Sequence, residues 1–213
     1  MKKNIVTLIL LFSFILSEQT LFGQTINDIF KSMPAHLLPG VSEGNKTMLI
    51  VDSATTAVPH IFGEIHKLKQ STSYLRIKTS EVGDTQLKLL PISEDSILIS
   101  VIKTVCGNSG KGACNSHISF YTANWVELDS EHFIPQISPE MFMDSSKIES
   151  ENYKYALSLP DIYPISATFD ETSTDLTLEL NYKDRLSDMQ EKEFEPYLYS
   201  NTVLLNWNGS NFK

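Results

Sequence analysis

Ser96-Ile-Leu-Ile-Ser-Val-Ile-Lys-Thr-Val-Cys106, a glycine-rich loop, then Cys114-Asn-Ser-His-Ile-Ser-Phe-Tyr121: this stretch decides the fold. Residues 97–105 are mostly β-branched or long aliphatic, which favours strand over helix. Ile97, Ile99, Val101 and Val105 share one face, and Leu98 and Ile102 the other. A strand apolar on both faces belongs in the middle of a covered sheet. Residues 116–121 instead alternate. Ile118 and Phe120 point one way, while His117, Ser119 and Tyr121 point the other, as in a strand with one wet side. The loop Gly107-Asn-Ser-Gly-Lys-Gly-Ala113 between them supplies three glycines for a tight reversal. The two strands read as a central β-hairpin with a cysteine at each side of its neck.

Whether those cysteines bond depends on compartment, and the beginning of the chain bears on that. Lys2 and Lys3 precede an apolar run from Ile5 to Leu16, and Leu21-Phe-Gly23 stands before Gln24. This is the pattern of a secretory signal peptide over residues 1–23. The run is short for a membrane span, and no later segment is long enough for one. Export makes a Cys106–Cys114 disulfide the expected pairing. The C-x7-C spacing is not that of a redox pair. A zinc site from Cys106, Cys114 and His117 would have three ligands and no second pair, so no metal or other cofactor is expected.

Removing Lys2, Lys3 and Glu18 from 17 basic and 26 acidic residues leaves 15 and 25, moving the net charge from −9 to −10. That balance disfavours nucleic acid and anionic membrane surfaces as partners. About 190 residues remain, a length that suits one domain with a proper core.

Around the hairpin, Thr25 and Asp28 can cap a helix that places Ile26, Ile29, Phe30 and Met33 on one face, broken at Pro34. In residues 45–57 the run Met48–Val51 fits a buried helix turn or a short strand, with helix the preferred reading, and a loop follows at Pro59 and Gly63. Strands follow at 74–78 and 87–90, and Trp125–Leu128 adds a short one after Tyr121, so 74–128 is an antiparallel meander. Ser138-Pro139 marks a helix start, and Ser187 with Gln190 a capping box. Ile165–Phe169 and Leu176–Tyr182 alternate as a second hairpin. Val203, Leu205 and Trp207 form a last strand before the Asn208-Gly209 turn. The fold class is therefore α+β: an antiparallel β-sheet meander of about seven or eight strands, with N-terminal and inserted helices packed on it. Residues 24–213 form a single domain.

Asp28-Ile-Phe-Lys-Ser-Met-Pro34, Tyr74-Leu-Arg76, Leu87-Lys-Leu-Leu-Pro91, Thr104-Val-Cys-Gly107, Ile118-Ser-Phe-Tyr121, Trp125 and Trp207-Asn-Gly209 with Phe212 together resemble an uncharacterised family. It is a domain-of-unknown-function family of exported Bacteroidetes proteins, about 200 residues long. The likeness spans nearly the whole mature chain and its motifs are structural. The resemblance implies a Gram-negative envelope setting, periplasm or cell surface, and carries no activity over to this chain.

No catalytic signature stands out. Gly107–Gly112 fails the phosphate-loop pattern, with Val105 where its first glycine belongs. Ser100-Val-Ile-Lys103 matches S-x-x-K, but in a strand its ends point to opposite faces. No H-E-x-x-H is present. His117 and His132 are the candidate catalytic bases, an ordinary surface histidine being the competing reading of each. Asp170, Glu171 and Asp175 could hold calcium, but the EF-hand pattern wants glycine where Asp175 stands, and a solvated hairpin turn is the better reading. Tyr153, Tyr155, Tyr163 and Tyr197, with Tyr199, form an aromatic set that binds a glycan or a protein if exposed, and is core if buried. Asp52-Ser53-Ala and Asp95-Ser96-Ile resemble short O-glycosylation sites. The functional expectation is a non-enzymatic exported protein that binds a protein partner or a glycan. The alternative is a periplasmic hydrolase whose site assembles only in the fold.

Overall fold

The computed structural model describes residues 24–51, 56–61, 63–93, 96–110 and 112–213. The expected signal peptide and Ser53 lie outside them. The Ser96–Cys106 strand is β5 of a seven-stranded antiparallel meander in sequence order: β1 (Ala57–His60), β2 (Gly63–Gln70), β3 (Tyr74–Lys78), β4 (Gly83–Ser93), β5, β6 (Cys114–Tyr121) and β7 (Glu127–Leu128). β5 pairs along its length with β4 and β6, from Ile99 opposite Tyr121 to Cys106 opposite Cys114. Both faces of this sheet are covered, which is why β5 is apolar on both.

On one face lie α1 (Ile26–Ser32) and α2 (Glu43–Val51). α1 starts at a capping box, with the Asp28 amide donating to Thr25 Oγ1 and the Thr25 amide to Asp28 Oδ2. Its Ile26, Ile29 and Phe30 are buried with Leu49 and Ile50 of α2 against Leu75, Ile77, Leu87, Ile99 and Val101. Lys46 of α2 is fully buried. Its ammonium donates to the Met33 carbonyl at 2.5 Å and to Glu43 Oε1 at 2.7 Å. A cation there complements the C-terminal end of α1.

The other face carries the C-terminal half of the chain. β8 (Ile165–Phe169), β9 (Leu176–Leu180) and β10 (Thr202–Leu205) form a separate three-stranded sheet in the order β10-β9-β8. α3 (Tyr153–Ser158) and α4 (Asp188–Phe194) accompany it. Leu176, Leu178, Phe142, Phe194 and Phe212 share a core with Leu98, Ile102 and Phe120 of the large sheet. The architecture is thus α+β, an antiparallel meander with helices on one side and a small sheet on the other.

β8 crosses the large sheet rather than extending it, and polar side chains receive its outer edge. The Ile165 amide donates to Asn115 Oδ1 (3.2 Å), that of Ala167 to Ser116 Oγ (2.9 Å) and that of Phe169 to Gln86 Oε1 (3.1 Å). Gln86 Nε2 returns a bond to the Ala167 carbonyl at 3.1 Å. The buried Lys88 ammonium donates to the Asp170 and Glu171 carbonyls at 3.0 and 3.1 Å. Buried main-chain polar groups need partners, and here side chains of another sheet supply them.

Three readings are corrected. The loop at Pro59 and Gly63 is a β-hairpin, β1–β2. Proline is tolerated there because β1 is an edge strand. The strand expected over Trp125–Leu128 shrinks to Glu127–Leu128, because Trp125 adopts φ +62°. Its ring then reaches back to Tyr121 (5.6 Å between centroids), and its Nε1 donates to Ser32 Oγ at 3.1 Å. The helix begun at Ser138-Pro139 is a short 3-10 turn, Pro139–Phe142, without a side-chain cap.

Candidate functional site

The Cys106–Cys114 disulfide is formed, with its Cα atoms 3.9 Å apart. It closes the hairpin whose loop opens with a helical turn, Gly107–Gly110. Gly110 has φ +84°, and a Cβ there would lie 2.6 Å from the Glu81 carbonyl oxygen. The loop is folded down onto the β3–β4 turn, and only glycine fits the contact.

β6 leaves this staple towards the rim of the sheet. β7 pairs only with its last two residues, Phe120 and Tyr121. Before them, Ser116, His117 and Ile118 form one side of an open groove of about 570 Å³. Ile134 to Ile137 stand on the other side, with Ser130 and Glu131 at the end. Ser130 is held at this end by a long contact, 3.5 Å, from its Oγ to the Ile118 carbonyl. Ile118, Ile134, Pro135 and Ile137 make the apolar part of its lining, and Ser116, His117, Ser130, Glu131 and Gln136 the polar part. We take this groove as the candidate site.

The two histidines part company. His117 is exposed and lines the groove. His132 lies outside its lining, 3.7 Å from Asp129 in a pair exposed on both sides. Neither is packed into a cleft that would exclude water and sharpen acid–base chemistry. Ser100 is fully buried, and its hydroxyl finds no partner among the described residues. Lys103 points to the other face, opposite His117.

The tyrosines divide as well. Tyr153 is 6% exposed, and its ring meets that of Tyr197 edge-on at 6.0 Å. Tyr163 is half-buried, packs 6.2 Å from Phe194 and donates to the Leu157 carbonyl. Burial pushes its hydroxyl pKa up to about 12. Tyr155 is exposed and donates to Glu193 Oε2 at 3.2 Å. Tyr199 is exposed too, but with Tyr153 buried and Tyr163 and Tyr197 partly so, the five rings do not make one exposed surface.

The acidic turn after β8 is occupied by itself. Asp170 Oδ1 accepts from the Thr172 amide, the Thr172 hydroxyl and the Ser173 amide at 2.7–2.8 Å. Those bonds, the Ser173 amide first, hold its pKa down to about 2. Glu171 pairs with Lys69 at 3.4 Å. Among the described residues, no group of three or more His, Cys, Asp or Glu side chains is placed to hold a metal ion. Ser96 is exposed at the start of β5.

A family model described as "Protein of unknown function (DUF3256)" matches residues 18–212. The chain belongs to the DUF3256 family. A domain of an uncharacterized protein from Porphyromonas gingivalis W83 shares the DUF3256 chain's fold. Its TM-score is 0.77 at 22% identity, over 90% of this chain and 97% of that one. Among curated proteins none matches this DUF3256 chain.

What sequence reasoning missed is the far wall of the groove. His117 was selected by residue type. Ile134, Pro135 and Ile137 carry no motif, and they meet β6 only because β7 is so short.

Proposed function

We propose that this protein is an exported, non-enzymatic binding protein of the cell envelope, and that the groove beside β6 receives a protein partner. The observation that carries the reading is the groove itself, lined by both apolar and polar side chains along a strand that β7 covers only at its end. Export is supported by the signal-peptide pattern of residues 1–23 and by the disulfide, which persists outside the reducing cytoplasm. No helix among the described residues is long and apolar enough to cross a membrane. A protein is favoured over a glycan because three of the five tyrosines are wholly or partly buried, leaving only Tyr155 and Tyr199 exposed. The hydrolase alternative gains little from exposed histidines without a sheltered carboxylate partner.

The test is site-specific photo-crosslinking in intact cells, with the reactive residue at Gln136 in the groove or at Met189, which is exposed and outside the groove's lining. One envelope protein crosslinked from Gln136 and absent from Met189 is the expected result. No partner, or the same products from both positions, would sink the proposal.

A further inference from the structure

We propose that the partner enters the groove as a single extended segment and adds to β6 as a new strand, bonded main chain to main chain. This deepens the reading above and rests on it. The argument begins with the direction of main-chain groups. The Cys106 amide donates to the Val82 carbonyl at 2.7 Å, so the polar groups of Cys106 face β4. Cys114, directly opposite, therefore turns its own away from β5. Its carbonyl indeed accepts from Asn181 Nδ2 at 3.0 Å, on the outer side. With a period of two, Ser116 and Ile118 also face outward. Farther along, the Thr122 amide faces the same way and donates to the Val126 carbonyl at 2.9 Å.

Between these two satisfied points the edge is open. The Ile118 carbonyl has only the long contact from Ser130. Among the described residues, nothing bonds the Ser116 amide, the Ser116 carbonyl or the Ile118 amide. The Ser116 side chain is engaged inward, with Ala167 and with Thr104 Oγ1 at 2.8 Å. An unpaired row of alternating donors and acceptors is complementary to another main chain in extended form. Other edges are treated differently. β1 carries Pro59, whose carbonyl is taken by Asn45 Nδ2 at 2.9 Å. The amides of β8 are received by side chains of the large sheet.

The groove also limits what can enter. Ile134–Ile137 line the same groove as Ser116 and Ile118. An added strand would lie about 4.8 Å from β6. A second copy of this chain would bring a whole sheet edge against that lining. A lone segment fits, and its alternate residues meet different surroundings. Those on the Ile118 side reach Ile134 and Ile137, which belong with the core beneath the small sheet. Those on the other side meet His117 and water. The segment therefore carries aliphatic residues at every second position with polar ones between.

Backbone N-methylation tests this. Peptides are selected from a random short-peptide library against the full mature chain. The tightest is resynthesised with N-methyl groups on alternate residues, in two complementary registers of equal composition. In the register that faces β6, two hydrogen bonds vanish and affinity falls by roughly tenfold or more. The other register stays within about twofold. Amide exchange in the complex slows at Ser116 and Ile118. Equal responses of the two registers, protection at β10 instead, or no selected binder overturns strand addition. Gln136→Trp, which fills the groove, and Gln136→Ala, which does not, separate the two levels. If the Trp variant alone loses the peptide while the registers respond equally, the groove is the site and the strand mode is wrong. If neither variant affects binding, the groove itself is wrong.

Discussion

Gln86 is fully buried and spends both ends of its amide on neighbours: the Tyr74 hydroxyl and Phe169 amide donate to Oε1, and Nε2 donates to the Ala167 carbonyl. Gln86→Leu keeps the volume and strands three polar groups. At about 1–3 kcal/mol for a buried group left unsatisfied, partly relieved by local relaxation, the expected loss is about 3 kcal/mol in urea unfolding. A loss below about 1 kcal/mol would mean that β8 is held by packing alone. Tyr74 adds a pH effect. Burial pushes its hydroxyl pKa up to about 12, against 10.0 for the free side chain. Between those values the unfolded chain has released a proton that the native chain keeps, so stability falls as pH rises. The share of Tyr74 is roughly 2–3 kcal/mol by pH 12. Tyr163, shifted the same way by burial, adds to the fall. Melting temperatures between pH 9 and 12 should drop less steeply in Tyr74→Phe. Identical slopes would contradict the assignment.

The β5–β6 hairpin is held twice, by its ladder from Ile99 to Cys106 and by its disulfide. Closing so short a loop restricts the unfolded chain by about 2–3 kcal/mol on the entropic account. Replacing both cysteines with alanine should lower stability by that amount in denaturant titration. The hairpin amides should remain slow to exchange, since the ladder survives; fast exchange throughout β6 would show the staple to be the larger support. This element was the most legible part of the chain, because β-branched alternation, glycines and cysteines all agree there. The capping boxes at Thr25–Asp28 and Ser187–Gln190 were equally readable, and both form. β1–β2 was not, because Pro59 and the run Glu64, His66, Lys67, Lys69 look like a surface loop. Its strand character rests on Val58 and Ile65, the two buried positions. The separate small sheet was hidden for a different reason. Hairpin patterning gives strand and pairing but not which sheet the hairpin joins. A hint was present in Gln86 and Lys88, polar residues set inside an otherwise apolar run. Of the site, one wall was legible through His117, and the other arises from distant segments meeting.

Across the molecule, one sheet separates two apolar cores, and each has a tryptophan near it. Trp125 donates to Ser32 on the helical side, and Trp207 donates to the Pro91 carbonyl at 2.8 Å beside Phe212 on the other. Strands β4 and β5 contribute side chains to both cores, so neither should melt alone. Fluorescence of Trp125→Phe and Trp207→Phe reports the two sides separately. Each variant's fluorescence midpoint should coincide with its own circular-dichroism midpoint; a gap between probes would divide the chain into two folding units. The crossing of β8 bears on how relatives diverge. What is gripped in β8 is the amide, which every residue but proline possesses, whereas the grip resides in Gln86, Asn115 and Ser116. Aligned relatives should therefore tolerate exchange among apolar residues at Ile165, Ala167 and Phe169, with proline excluded, and should hold the chemistry of the three gripping positions fixed. A transplant of the small sheet onto another scaffold would have to carry those acceptors along.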